Sequence, residues 1–388
     1  MKNKNKWFFI TVIVMITSCV EPFEIKDIAH ESKLVVNAII TNELKNQIIK
    51  LSRTTKIDST GISPEKNARI SIIDDSQNVY QFKELNDGEY QSINQFNAIP
   101  DKSYTLKIET QNGENYSSTP EKLTETVSLE NIEIKTSQNE TEDKEVKISI
   151  NNSYTNDTNK YYRFEYHETY KITPFSWNPQ KAIVVSRDFP FQFDLIPNPD
   201  PKYCYVNKQP TNIIIAESPQ LTNYVIKSKS ILDRAWSLRY SILIKEYVLN
   251  EKSYNYYKLV KKFSNPTEIF SQIQVGTIPN NISSNTNPDN KAIGLFQVSA
   301  VSSKRIFINR EDLTDEKYIY PGEEYCDIIT PEKIDPFSGS PLISAIDSNN
   351  YLFSGITANP SSPYKLISKP CGDCTYLGET SKPSFWID

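Results

Sequence analysis

From Lys33 to Ser118 apolar and polar residues change places at nearly every second position, which is the period of a half-buried strand. The runs Leu34–Ile40 and Gln47–Ser52 lie either side of a turn-like stretch, Thr41–Asn46. Ala68–Ile73 alternates and breaks at Asp74-Asp75, and Val79–Phe82 follows. Asn86-Asp87-Gly88 then leads into Glu89–Ile93, because glycine tolerates the positive φ of a tight hairpin. Tyr104–Glu109 and Asn115–Ser118 flank a similar turn at Asn112-Gly113. Some seven short strands at this spacing, in about 90 residues, predict an immunoglobulin-like β-sandwich over residues 32–125.

The same period continues through a second β-rich domain, 126–388, with long loops. Ser128–Lys135 and Glu145–Ile150 alternate around a polar stretch, Thr136–Lys144, and Tyr161–His167 forms an aromatic strand. Ile213–Ile215, Tyr224–Ile226 and Ser237–Leu249 read as further strands; in the last, Leu238, Tyr240, Ile242 and Ile244 face one way. Residues 172–202, rich in proline and aromatics, read as an excursion from the core. One segment has a helical period. Asn250 can cap a helix to about Phe263, with Tyr256, Leu259, Val260 and Phe263 at three- and four-residue spacing. Its lysines fall in the later turns, complementing the helix dipole. Gly294–Ile308 returns to strand, and the chain after Arg310 is loop-rich. The expected class is mainly β, with one short helix and a loop-rich C-terminus.

Composition agrees. Tyr 23 and Phe 17 against Gly 10 favour pleated surfaces. A net charge of −5 with pI ≈ 5.4 gives no general attraction to phosphate backbones, so nucleic acid is not expected as a partner.

The N-terminus changes the picture more. Lys2, Lys4 and Lys6 precede an apolar run, Trp7–Ile16, and then Ile16-Thr17-Ser18-Cys19. A basic head, a short apolar core and small residues before a cleavage point make a secretory signal over 1–18. The run is too short to span a bilayer. Ending on Cys19, it resembles a lipoprotein signal in which Cys19 carries the acyl chains and 19–31 forms a lipidated tether. Glu21 and Glu24, near the anchor, resemble surface-export signals, so the expected location is the outer membrane, facing outwards.

Four further cysteines, Cys204, Cys326, Cys371 and Cys374, favour disulfides in an exported protein. Four cysteines allow three pairings; the expectation is a local Cys371–Cys374 ring and a long-range Cys204–Cys326 bond. Metal and cofactor motifs are missing from the sequence, and His167 is the one histidine beyond the tether. Gly339-Ser340-Pro341-Leu342 is a weak echo of a serine-protease motif without its glycine run. No catalytic constellation emerges, and the expectation is a protein that is not an enzyme. Trp177, Phe189 and Phe191, in the proline-rich excursion, are candidate partner-binding residues, since rigid rings give contact area at low entropy cost. Asp58-Ser59-Thr60 resembles a short O-glycan acceptor, with Ser59 as the site.

Several spaced segments together resemble one family. They are Cys19–Phe23 with Leu34-Val35-Val36 and Ile48–Thr54; then Ile278–Ile282, Asn287-Pro288 and Ser303–Ile308; then Cys371-Gly372-Asp373-Cys374 with Lys382–Trp386. The family is the Bacteroidota lipoproteins of domain of unknown function 4249. The chain departs from it at Leu377-Gly378-Glu379-Thr380, where a double-glycine turn is expected. The resemblance transfers no reaction. It implies an outer-membrane lipoprotein, often encoded beside a TonB-dependent barrel. The expected role is an accessory binding partner of such a transporter in nutrient uptake, its ligand unknown. The alternative is a stand-alone adhesin or scaffold.

Overall fold

The computed structural model describes residues 32–55, 61–151, 161–218, 221–264, 278–287, 290–318, 326–337 and 339–388. Cys19, the 1–18 signal, the 19–31 tether and Ser59 lie outside the described residues.

The first alternating stretch folds as β1 (Leu34–Thr41), β2 (Ile48–Arg53), β3 (Ser63–Pro64), β4 (Arg69–Asp74), β5 (Val79–Asn86), β6 (Glu89–Ser92), β7 (Ser103–Glu109), β8 (Asn115–Ser118) and β9 (Glu121–Lys122). The period sets which face is inside: Leu34, Val36, Ala38 and Ile40 of β1 and Tyr104, Leu106 and Ile108 of β7 are buried. Where the strand spacing suggests two facing sheets, hydrogen bonding joins these strands in one large sheet that curls nearly into a barrel.

The chain then lays down β10 (Ile132–Gln138), β11 (Lys144–Ile150), β12 (Tyr161–Ile172), β13 (Gln180–Ser186), β14 (Gln192–Pro197), β15 (Cys204–Lys208), β16 (Ile214–Glu217), β17 (Tyr224–Ser230) and β18 (Arg239–Leu249). β10, β11 and β17 form one sheet; β15, β12 and β18, with β16 beside β12, form another. They share a core in which Tyr240, Ile242 and Ile244 of β18 and Tyr162 and Phe164 of β12 are buried against Val146 and Ile148 of β11.

Helix α1 (Glu251–Phe263) begins where the sequence places it, the Asn250 side chain accepting from the Ser253 N–H at 2.8 Å. Its buried residues are Ser253, Tyr254 and Tyr257; Tyr256, Leu259, Val260 and Phe263 are only half-buried. Tertiary partners select that face. Tyr254 stacks on Tyr161 at 4.6 Å, and Gln297 donates to the Tyr257 hydroxyl at 3.0 Å. No described helix is long and apolar enough to cross a membrane.

The next strands return to the first sheet. β19 (Ile282–Ser284) pairs with β8, and β20 (Ile293–Ser299) pairs in parallel with β1, from Val35↔Ile293 to Thr41↔Ser299. Thus the first sheet contains eleven strands, and the stretch up to residue 125 supplies only part of it. Gly294 makes this pairing possible. It holds φ +114, and a Cβ there would sit 1.9 Å from the Val36 carbonyl oxygen.

One residue later the chain changes sheets. β21 (Val301–Asn309) pairs with β18, so the run expected as one strand, Gly294–Ile308, is two strands in two sheets with Ala300 between them. Three polar contacts hold the joint. The Ala300 N–H donates to Thr124 Oγ1 at 2.8 Å, the Thr124 hydroxyl donates to the Val248 carbonyl at 3.0 Å, and the Val301 N–H donates to Asn42 Oδ1 at 2.8 Å. The last part of the chain forms β22 (Ile328–Ile329), α2 (Pro341–Asp347), β23 (Tyr351–Ile356) and β24 (Tyr364–Ser368), set among loops.

Candidate functional site

The proline- and aromatic-rich excursion folds as an antiparallel hairpin, β13 with β14, rather than as an irregular loop. It packs on the C-terminal elements. Ala182, Leu342, Phe353 and Leu366 are buried together, with Phe193, Leu195 and Tyr364 partly buried against them. Phe193 and Phe353 both meet Tyr364 edge-on, at 6.3 and 5.3 Å. Ser340, the hydroxyl of the weak protease echo, accepts from the Ile343 N–H at 3.2 Å and caps α2.

Two disulfides close this C-terminal unit, and their pairing differs from expectation. Cys204 bonds Cys374 and Cys326 bonds Cys371; the local Cys371–Cys374 ring and the Cys204–Cys326 bond do not form. The reason is local. Cys371 lies in the short helical turn Lys369–Gly372, while Asp373 breaks that turn and caps the next, its carboxylate accepting from the Thr375 N–H at 2.8 Å. Cys374 is thereby carried into the core shared by the β10–β11–β17 and β15–β12–β18 sheets, beside Cys204, both fully buried. Gly378 follows, where a Cβ would sit 2.5 Å from the Tyr205 carbonyl; Glu379 pairs with Tyr205 through backbone bonds of 2.8 and 2.9 Å. The departure Leu377-Gly378-Glu379-Thr380 therefore keeps the one glycine that this close approach needs.

The three ring residues chosen from sequence fall in different surroundings. Trp177 is half-buried, its indole N–H donating to the Asp200 carbonyl at 3.2 Å, with Lys202 5.8 Å from the ring centroid. It braces its own loop. Phe189, between the hairpin strands, is 76 % exposed, and Phe191 meets it edge-on at 6.1 Å. Phe337, which the sequence reading passed over, is 98 % exposed, in a turn where Asp335 accepts from its N–H at 2.7 Å.

Charged groups on the five-stranded sheet are held in structural roles. Glu168, 2 % exposed, accepts from the Tyr240 hydroxyl at 2.7 Å and lies 3.5 Å from Lys229. Burial, then the Glu168 charge, raises the Tyr240 hydroxyl above its ordinary range. Arg163 donates to Glu165 at 2.6 Å and lies over the Tyr247 and Tyr257 rings, at 4.3 and 4.9 Å. Burial opposes the charge on Glu165, but Arg163 holds that carboxyl below its ordinary value. Burial, then the Lys245 charge, lowers the His167 imidazole below its ordinary value, with Glu165 opposing and Arg305 adding to the shift. Among the described residues no group of three or more His, Cys, Asp and Glu converges as a metal site.

The family model described as a domain of unknown function, DUF4249, matches residues 20–305. The chain belongs to the DUF4249 family. The match spans the first sheet and runs into β21, and the C-terminal signature Cys371–Cys374 and Lys382–Trp386 lies beyond it. No curated protein matches this DUF4249 chain. Among solved structures, a DUF4785 family protein from Legionella pneumophila is similar at 9% identity with a TM-score of 0.18, covering 51% of this chain and 55% of that one. The DUF4249 chain thus spans about half the length of that relative, and a likeness so loose carries no argument.

Proposed function

We propose that this protein is a non-catalytic outer-membrane surface lipoprotein that serves a TonB-dependent transporter in nutrient uptake, with the β13–β14 hairpin as its contact. The observation that carries the reading is Phe189. A large apolar ring, 76 % exposed on a hairpin packed against a disulfide-closed unit, is poorly explained by folding and well suited to filling a partner's pocket. The Cys19 signal supports the membrane setting. A tether of residues 20 to 29 reaches at most about 33 Å at ~3.3 Å per residue, which keeps the body close to a barrel and raises its effective concentration.

The test is recovery of a TonB-dependent barrel after cross-linking in intact cells and purification in mild detergent. Replacing Phe189, Phe191 and Phe337 with Ala should lower recovery roughly tenfold or more. Trp177→Ala should act instead by loosening its loop. Equal recovery with the triple variant rejects the hairpin. No barrel in any preparation moves the reading to an adhesin or scaffold.

A further inference from the structure

The direction of the strands fixes the end of the molecule from which the N-terminal tether leaves. β1 starts at Leu34, opposite Arg53 at the end of β2, while β20 starts at Ile293, opposite Val35. Leu34 therefore lies at one end of the first sheet, with the turns at 86–88 and 110–114. The chain is fastened there. The Lys33 N–H donates to Thr54 Oγ1 at 2.9 Å, and the Thr54 N–H donates to the Lys33 carbonyl at 3.0 Å. The joint with the second body, at Asn42, Ala300 and Val301, lies at the other end, seven residue steps or about 24 Å along β1.

The second body extends this run of strands. β18 meets the joint at Val248, whose N–H donates to the Ala300 carbonyl at 3.0 Å, and its opposite end, Arg239, aligns with Lys171 and Asn309. That is nine residue steps, about 31 Å of strand. Cys204 pairs with Ile172 at the same far end and holds the C-terminal unit through Cys374. Along the strands, the unit bearing Phe189 and Phe337 is thus separated from the tether by both sheets.

The tether end presents an apolar side chain to solvent. Ile62, just before β3, is 84 % exposed, and the pairing of Ser63 with Arg53 places it beside Thr54 and the start of the tether. Cations at this end are neutralised: Lys50 pairs with Glu89 at 2.7 Å, Lys66 with Asp87 at 2.5 Å, and Arg53 with Glu65 at 2.6 Å and Glu114 at 2.9 Å. Such a surface offers apolar contact without a polybasic attraction to acidic lipid.

We propose that this end of the first sheet docks through Ile62 on the lipid surface that anchors Cys19, holding the C-terminal unit away from the bilayer. The occupant follows from where the chain leaves the fold. Ser32 is thirteen residues beyond Cys19, so this end stays within about 43 Å of the anchored residue. Tethering at that range lets a weak apolar contact suffice. The inference rests on the lipoprotein reading above, and it directs the hairpin to the extracellular loops of a barrel rather than to its membrane-embedded wall.

The experiment uses full-length protein acylated in cells and reconstituted in phosphatidylcholine vesicles. The four cysteines of the fold are in disulfides, so Ile62→Cys supplies a free thiol for an environment-sensitive fluorophore. Leu44→Cys, 69 % exposed in the turn after β1 at the joint end, and Phe189→Cys are the comparisons. Emission at position 62 should shift to the blue on reconstitution, and nitroxide-bearing lipid should quench it several-fold more than at 44 or 189. High salt should leave the shift unchanged. Should Ile62→Cys lower the melting temperature, Gln111→Cys at the same end decides. Equal quenching at 62 and 44 overturns the proposal, as does stronger quenching at 189 than at 62. Mass spectrometry of the N-terminal peptide is read first. An unacylated Cys19 ends the lipoprotein reading and this proposal with it, whereas an acylated protein whose position 62 stays in water ends this proposal alone.

Discussion

The eleven-stranded sheet encloses Leu34, Ile40, Ile49, Ile72, Tyr90 and Tyr104 with no exposed surface, and no disulfide touches it. The C-terminal unit buries a small cluster of Ala182, Leu342, Phe353 and Leu366, and it is held by both disulfides, Cys326–Cys371 within it and Cys374 to Cys204 in the neighbouring core. The difference is one of core size. A large curled sheet removes enough apolar surface to hold itself, while a small unit cannot and is closed covalently. The same contrast divides the exposed surfaces. The stapled unit carries the exposed Phe189 and Phe337, and the large sheet carries Ile62 at its tether end.

Breaking the staples should have the largest effect. Chain-entropy arguments give about 5 kcal/mol for the bond between residues 170 apart and about 4 kcal/mol for the bond between residues 45 apart. In the double variant Cys204→Ala/Cys374→Ala, amides of β23 and β24 should lose hydrogen-exchange protection while β1, β4 and β7 keep theirs. Equal loss in both regions would mean one cooperative unit and would end the comparison.

A glycine pair tests the sheet next. Gly294→Ala forces a methyl against the Val36 carbonyl and should cost about 3 kcal/mol or more, read as a lower melting temperature. Gly355 of β23 has nothing within 4 Å of an added Cβ, so Gly355→Ala should stay within about 1 kcal/mol of wild type. A Gly294→Ala protein as stable as wild type would show that the parallel β1–β20 pair is dispensable.

The smallest effects are electrostatic. Asp74 in the first sheet is buried, accepting from the Asn78 N–H at 2.9 Å and Lys102 at 2.8 Å. Burial works against its charge, but Asn78 and Lys102 hold the carboxyl well below its ordinary range. A depressed folded pKa stabilises fully above the unfolded value of about 4, and the gain is lost as pH falls through the folded value. The melting-temperature gap between wild type and Asp74→Asn should therefore shrink from pH 7 to pH 3; a constant gap removes the charge from the account. On the stapled unit, Arg187 and Asp347 pair at 2.8 Å in the open, and Asp347→Asn should change stability by less than about 1 kcal/mol.

Most strands were legible in the sequence because a period of two is a local property. Leu34–Ile40 and Tyr104–Glu109 fall within a residue of β1 and β7. Asn250 announced its helix because a cap acts within one turn. The buried face of that helix was not legible, since Tyr161 and Gln297 choose Tyr254 and Tyr257 from distant strands. Phe189 could be picked out from its composition-rich loop; Phe337, a lone ring in a polar turn, gave no signal beyond its neighbouring Asp335-Pro336.

By itself the sequence determined a mainly β chain, its strand faces, one capped helix and the presence of cystines, all consequences of near-neighbour patterns. Tertiary structure alone decided that Ala300 divides one apparent strand between two sheets, that Cys374 reaches Cys204 and not Cys371, and that Trp177 turns inward while Phe189 stays out. Only the folded chain sets Ile62 beside the start of the tether, a full run of strands from the stapled unit. Each of these depends on contacts between residues far apart in the chain, whose geometry no local period encodes.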